Sequence, residues 1–299
     1  MVKKRTVSGM IFDVLNYCLL VALALLCILP MIHILAISLS DNAAASAGNI
    51  GLWPVNFTTA AYEWVMAKKE FWAAFAMSLK RLAIGIPYHL VMTVLVAYPL
   101  SYPSSRLRGR SIYVGLLIFT MLFGGGLIPT YMLYKELHLL DTLWVLIVPN
   151  AVSAGNIMLM MNFFRNLPKE LEESARIDGA GHLQILLRVI LPVSLPSIAT
   201  ITLYVTVAHW NDYFSGMVFM NSAENYPLQT YVYNLVNQAS SLTTNLNLGV
   251  GESWKLLAKV SDKTVRSAQI FITALPMLAI YPFLQKYYIK GIVVGSVKG

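Results

Sequence analysis

Charged side chains in this sequence are confined to short islands, and the stretches between them are long enough to cross a lipid bilayer. Uncharged runs lie between Asp13 and Asp41, Arg81 and Arg106, Arg110 and Lys135, Asp141 and Arg165, Arg188 and Asp212, and Arg266 and Lys286. A helix needs about 20 apolar residues to span the hydrocarbon core, and a backbone in lipid must satisfy its own hydrogen bonds. The pattern therefore predicts an all-α integral membrane protein with six transmembrane helices in one domain over 1–299, the spans lying at about 14–38, 82–104, 111–134, 142–164, 189–211 and 267–285. Composition agrees: 57% hydrophobic and only 12% charged residues, with a mean hydropathy of +0.63, leave too little polar surface for a soluble domain. The short apolar stretch Phe71 to Ser78 reads as an outer helix leading into the second span. Lys3, Lys4 and Arg5 ahead of the first run resemble the start of a signal peptide. Asp13, the length of the run and the lack of a small-residue cleavage site after Leu29-Pro30 favour a retained helix.

Six spans put both termini on one side, and the basic residues choose the side. With the N-terminus inside, 13 of the 22 Lys and Arg and five of the 14 acids lie on inner segments, so the formal charge of +8 is cytoplasmic and the outer segments are neutral. That is the positive-inside bias of a multi-span membrane protein and no sign of nucleic-acid binding. Cys18 and Cys27 stand nine residues apart in the first span, about 13.5 Å along one helix, too far to bridge. No His-Glu-x-x-His, phosphate-cradling glycine loop or nucleophile elbow occurs, so the chain is read as a non-enzyme. Gly124-Gly125-Gly126, inside the third run, indicates a helix break or close helix packing.

One cytoplasmic island, 166–188, is built differently from the rest. Pro168 suits a first helical turn, Glu170, Glu172 and Glu173 crowd its positive end, and Gly179 supplies a stop. A second helix is expected from near Ala180 through Leu183, Leu186, Leu187 and Ile190, kinked at Pro192. Ser174, Ala175 and Gly179 offer closely approachable backbone between fixed charges, the make-up of a docking knob, although an ordinary solvated loop has similar residues. The spacing Glu173-Ser174-Ala175, three residues, Gly179, nine residues, Val189, one residue, Leu191-Pro192 resembles the EAA loop of bacterial ABC importer permeases, E-A-A-x3-G-x9-I-x-L-P, with Ser for the first Ala and Val for Ile. Asp178-Gly179-Ala180 is similar to the sugar-importer version. The resemblance implies the type I importer permease fold, with Glu170, Glu172, Glu173, Ser174, Ala175, Asp178, Gly179, Ala180, Leu191 and Pro192 forming the coupling helix that enters a cleft of the ATPase.

Further words carry the resemblance along the chain. Gly125-Gly126-Leu127-Ile128-Pro129-Thr130-Tyr131, Leu139-Leu140-Asp141-Thr142-Leu143-Trp144 and Phe163-Phe164-Arg165 look like the carbohydrate branch of these permeases, the first of them like a subgroup that includes importers of acidic oligosaccharides such as alginate. The ending from Gln285, with Gly291, Gly295 and Lys298, is similar to the tail of the maltose-type smaller permease. In that family the tail contacts the ATPase dimer, and the two glycines would let an extended chain enter a narrow cleft. The resemblance further implies a second permease, two ATPase subunits that carry ATP and magnesium, an external binding protein, and no cofactor on this chain.

Two outer features are candidates for the solute path. His209, Trp210, Asn211, Asp212 and Tyr213 close the fifth span; a ring stacks on a sugar face and the polar groups suit hydroxyls, while a helix-end belt with a helix–helix hydrogen bond uses the same residues. Lys80 and Arg81 precede the second span, where they either reach headgroups or attract an anionic solute. Trp53, Tyr62 and Trp64, in the loop before them, are read as an interfacial belt or as a surface for an outside partner. The long outer loop 212–266, Asn- and Ser-rich at its middle, is of a length that usually serves function, and the resemblance to sugar importers implies that it faces the binding protein or enters the pore. The expected function is ATP-driven import of an oligosaccharide, acidic and alginate-like. The alternatives are a permease for a non-sugar solute and an intramembrane enzyme acting on lipid or glycan with Asp212 and His209 as acid and base.

Overall fold

The computed structural model describes residues 7–235 and 262–296, with side chains placed for 9–235 and 263–282. Every regular element among them is helical. Helix α1 covers Val7–Ser38, α2 Asn42–Ala47, α3 Ala60–Met66 and α4 Lys69–Ser101. Helices α5 (Arg110–Leu122) and α6 (Leu127–Glu136) follow, then 3-10 turns at Leu143–Leu146 and Val148–Asn150. After α7 (Ala154–Arg165) and α8 (Lys169–Ile177) come α9 (His182–Val193), α10 (Leu195–Asn211) and α11 (Phe214–Phe219), and α12 (Asp262–Ser296) closes the chain. Among the described residues three helices are long and apolar enough to cross a membrane, and the count rises to as many as six if each of three bent helix pairs makes one span.

The bends have local causes. α5 is 13 residues long, about 19.5 Å, which is short of a hydrocarbon core of about 30 Å. It stops at Phe123, and α6 leaves at 115° after Gly126, whose φ of +81° is open to glycine and strained for other residues. The third uncharged run is therefore not one straight helix over 111–134, and the triple glycine is its break. The fourth run is two short turns and then α7, bent by 48°. The fifth bends by 82° at Ser194, whose hydroxyl donates to the Ile190 carbonyl, and Pro196 starts the next helix. The kink thus falls two residues beyond Pro192, which lies inside α9. Phe71 to Ser78 is no separate helix either: it is the start of α4, which runs unbroken through Pro87.

Close packing groups the chain into two compact units, Met1–Lys69 with Asn234–Leu275, and Glu70–Tyr233 with Pro276–Gly299. In the first, the most apolar stretch of α1 is exposed, with Cys18 and Cys27 on it, and only the end of the helix, at Ala36 and Ser38, is buried. In the second, Val94, Ala97 and Leu100 of α4 interlock with Ile157, Met160 and Phe164 of α7, Ile185, Leu186 and Ile190 of α9, and Ile201 and Val205 of α10. This core supports the 166–188 island on one side, while α5 and α6 bury no side chain. Helices in lipid associate through such packing and through polar bonds rather than through water exclusion. The middle of the outer loop, with Ser240 to Asn245, lies outside the described residues.

Candidate functional site

The 166–188 island folds as its residues dictate. α8 ends in a Schellman turn: Gly179 takes the left-handed conformation, its N–H donates to Arg176 O at 3.0 Å, and the Ala180 N–H reaches back to Ala175 O at 2.9 Å. Ala175 and Ala180 pack together on the core beneath. Positions 170, 173, 174 and 177 follow the i, i+3, i+4, i+7 rule and share the outward face. Glu170, Glu173, Ser174, Asp178 and Gly179 are exposed, and Ile177 is 87% exposed. Ile177 is an addition to the residues expected from sequence, and its signal is there: one large apolar side chain on the acidic face of a short helix.

Glu172 behaves differently from its two acidic neighbours. Its Oε1 accepts from Arg176 Nε at 2.8 Å and from Arg106 Nη1 at 3.0 Å, so it ties α8 to the loop after α4. Arg106 is thus a brace for the knob as well as a charge anchor at the membrane face. Tyr98 and Tyr102 continue the brace: the Tyr102 hydroxyl donates to Tyr98 at 2.7 Å, and Tyr98 donates to the His182 carbonyl at 3.4 Å. Leu186–Ile190 winds as a π-helix, which turns Leu191 and Pro192 toward the bend at Ser194. The result is a rigid projection whose free face is acidic around one apolar side chain.

At the opposite end of α4 a buried polar cluster joins three segments. Arg81 is 2% exposed. Its Nη2 meets Asp212 Oδ2 at 2.6 Å and the Leu146 carbonyl at 3.2 Å, its Nε donates to His209 Nδ1 at 3.0 Å, and its Nη1 lies 3.4 Å from Asp212 O. Asp212 Oδ1 accepts the Ser215 N–H at 3.0 Å at the start of α11. An arginine has only donors, so the bond from Arg81 leaves His209 Nδ1 bare and places its proton on Nε2. His89 Nε2 faces the Ile147 carbonyl at 2.8 Å and must also carry a proton. Two N–H groups cannot bond each other, so the 3.3 Å approach of the two Nε2 atoms is an edge-to-face ring contact, with centroids 4.6 Å apart at 73°. Gly85 makes room, because a Cβ there would stand 3.1 Å from His209 Nε2.

This arrangement sorts the expected solute-path residues. Arg81, His209 and Trp210 are buried, Trp210 standing edge-on to Phe75 with centroids 6.3 Å apart. Arg81 is a clamp between spans and reaches neither headgroups nor an open cavity. His209 and Asp212 are each bonded to Arg81, so they do not form an acid–base pair. Lys80, Asn211 and Tyr213 are exposed, Tyr213 stacked on Tyr233 at 4.5 Å. The clamp was hidden from sequence reasoning because its partners lie 128 and 131 residues from Arg81. Among the described residues no cluster of His, Cys, Asp or Glu could hold a metal. Of the C-terminal group, Gly291 and Gly295 have helical backbone in α12 where an extended tail was expected, and Lys298 lies outside the described residues.

The structure is thus a set of apolar helices with one braced polar knob. Residues 58–294 match the family model of the binding-protein-dependent transport system inner membrane component, and the chain belongs to that family. Protein LplC of Bacillus subtilis strain 168 is 38% identical over 99% of this chain and 97% of its own length. The polygalacturonan/rhamnogalacturonan transport system permease protein YtcP of the same organism is 37% identical, covering 97% of this chain and 99% of that protein. A crystal structure of a bacterial ABC transporter that imports the acidic polysaccharide alginate contains a chain 36% identical, with a TM-score of 0.83, covering 95% of this chain and 98% of that one. The protein is therefore an inner-membrane transport permease of the type I ABC importer fold and not an enzyme, and ATP hydrolysis belongs to a separate subunit.

Proposed function

We propose that this permease passes an acidic, uronate-bearing oligosaccharide from an external binding protein into the cytoplasm. The observation that carries the reading is full-length similarity, at 36% and 37% identity, to a permease of an alginate importer and to one named for polygalacturonan and rhamnogalacturonan. Both of those names denote polymers containing uronic acids. Exposed Lys80, with Asn211 and Tyr213, supplies a cation, an amide and a ring of the kind such a solute needs. Arg81, His209, Trp210 and Asp212 hold these residues in place.

The N- and C-termini lie in the cytoplasm, which puts the α8 knob within reach of the ATPases. Glu170, Glu173, Ser174, Ile177, Asp178 and Gly179 meet the ATPase, Glu172 positions them, and Ala175, Ala180, Leu191 and Pro192 carry the push into the core. The end of α12, with Gly291, Gly295 and Lys298, approaches the same partner. A second permease completes the pore, and ATP with magnesium acts on the two ATPases alone. Closure of those subunits moves the knob as a rigid body and opens the spans outward.

The test is ATP hydrolysis by the tagged complex in nanodiscs, with binding protein loaded in turn with oligogalacturonate, alginate oligomer or maltooligosaccharide. Stimulation by an acidic oligomer and not by the neutral one is expected. Stimulation by the neutral sugar alone, or a chain that purifies without permease or ATPase partners, overturns the proposal.

A further inference from the structure

The segment between α1 and α3 exposes an apolar surface. From Asp41 to Glu63 the chain carries no charged residue between those two acids. It is nevertheless tightly folded. Asp41 caps α2 through Ala44 N at 2.8 Å, the Asp41 N–H pairs with Val55 O at 3.2 Å, and Val55 N meets Ser40 Oγ at 2.9 Å. Thr58 N donates to Leu39 O at 2.9 Å, and Ala36, Ala44, Ala45 and Ile50 form a small core under the loop. A loop held this firmly could have tucked its large side chains inward. Instead Trp53 is 83% exposed and Phe57 68%, with Leu52 and Val55 exposed beside them.

The depth of this patch follows from one contact. His33 Nδ1 lies 2.8 Å from Gly51 O. His33 is five residues, about 7.5 Å of helix rise, below the Ser38 end of α1, so the loop folds back alongside the membrane helix instead of standing off into water. The loop thereby lies beside the end of an apolar helix whose most apolar stretch is exposed. A protein-docking patch carries a polar or charged rim, whereas the one polar side chain between Ile50 and Phe57 is Asn56, whose amide donates to Asp41 Oδ2 at 3.2 Å. Tryptophan and phenylalanine at that depth, with proline and glycine between them, have the character of an interfacial belt.

We propose that residues 50–57 form a membrane-interface anchor, in which Trp53 and Phe57 insert into the headgroup and upper acyl region beside α1 and fix its depth. The partner is phospholipid. Its assignment to the outer leaflet rests on the orientation proposed above, whereas insertion itself does not.

The experiment uses the whole transporter with Cys18 and Cys27 replaced by alanine. Trp53→Cys or Phe57→Cys is labelled with a nitrobenzoxadiazole fluorophore, and Ser46→Cys, exposed on α2, is the reference. Lipids with a spin label near the headgroup should quench positions 53 and 57 more strongly than position 46, and saturating binding protein should leave that quenching unchanged. Quenching by iodide alone, or shielding from lipid by the binding protein or the second permease, overturns the anchor. In right-side-out vesicles, external dithionite should bleach the lipid-quenched label; bleaching only after permeabilisation would keep the anchor and overturn the orientation.

Discussion

Replacing Arg81 with leucine should be among the most damaging single changes in the spans. The substitution removes a side chain that is 2% exposed and strips partners from Asp212, His209 Nδ1 and the Leu146 carbonyl together. Breaking a buried ion pair by deleting one member costs about 3–5 kcal/mol, because the other charge is left uncompensated. Asp212 keeps its bond from the Ser215 N–H and its side chain retains 21% exposure, which moves the expectation to the lower end, about 3 kcal/mol. Asp212→Leu should cost a similar amount by leaving the guanidinium bare. In the double variant no charge is stranded, so it should be more stable than the sum of the two losses predicts, with a coupling of about 2 kcal/mol or more. Thermal denaturation of the complex in nanodiscs, for wild type, both single variants and the double, reads this cycle. Additive losses would mean that Arg81 and Asp212 do not act as a pair, and the clamp would be refuted.

Three other consequences are open to measurement. Gly179→Val puts a β-branched residue at a φ of +81° with nothing within 4 Å of its Cβ, so it should strain the Schellman turn by about 1–2 kcal/mol and leave membrane insertion intact. Its signature should be binding-protein-stimulated ATP hydrolysis that falls relative to the basal rate, with Gly179→Asn retaining more stimulation. Gly216→Ala would place a Cβ 2.1 Å from Thr230 Oγ1 and 3.0 Å from Pro227 Cδ, so α11 or the 227–230 segment must shift. A melting temperature lowered by the equivalent of about 1–3 kcal/mol is expected, and none at all would contradict the packing. Asp141 accepts from the Ser222 hydroxyl at 2.5 Å and from the Ser222 and Asn221 amides, and these bonds, the Ser222 hydroxyl foremost, hold its carboxyl below the usual range. Its contribution is present above the unfolded carboxyl value and lost as pH falls through the lower folded one. Protection factors of the amides at 221–225, taken against the intrinsic exchange rate at each pH, should therefore fall on acidification, and Asp141→Asn should abolish that dependence.

Much of the architecture was legible in the sequence because charge cannot lie cheaply in hydrocarbon, so islands of Arg, Lys, Asp and Glu mark where spans end. The Schellman turn was legible too, since Gly179 falls where a short acidic helix must stop. Bends were only half legible. The triple glycine announced a break, but the π-turn at Leu186–Ile190 has no glycine or proline to mark it, and the fifth run bends at Ser194, through its hydroxyl bond to the Ile190 carbonyl, rather than at Pro192. Arg81 illustrates the larger gap. An arginine at the end of an apolar run has the same local pattern whether it snorkels, meets solute or pairs, and the answer came from Asp212, His209 and Leu146, brought together by tertiary structure. Glu172 was grouped with Glu170 and Glu173 for the same reason, until Arg106 was seen to hold it.

Cross-linking tests the central claim, that the free face of α8 couples this chain to an ATPase, most directly. In the background without Cys18 and Cys27, Ser174→Cys, Ile177→Cys and, as an inward-facing control, Ala175→Cys are treated with a short bifunctional reagent against a complex whose ATPases carry single engineered cysteines around their surface cleft. Efficient links from 174 and 177, weak ones from 175, and loss of binding-protein-stimulated hydrolysis in the linked complex are predicted. Absence of any link from 174 and 177 to the ATPases, with hydrolysis and transport still coupled, would contradict the account.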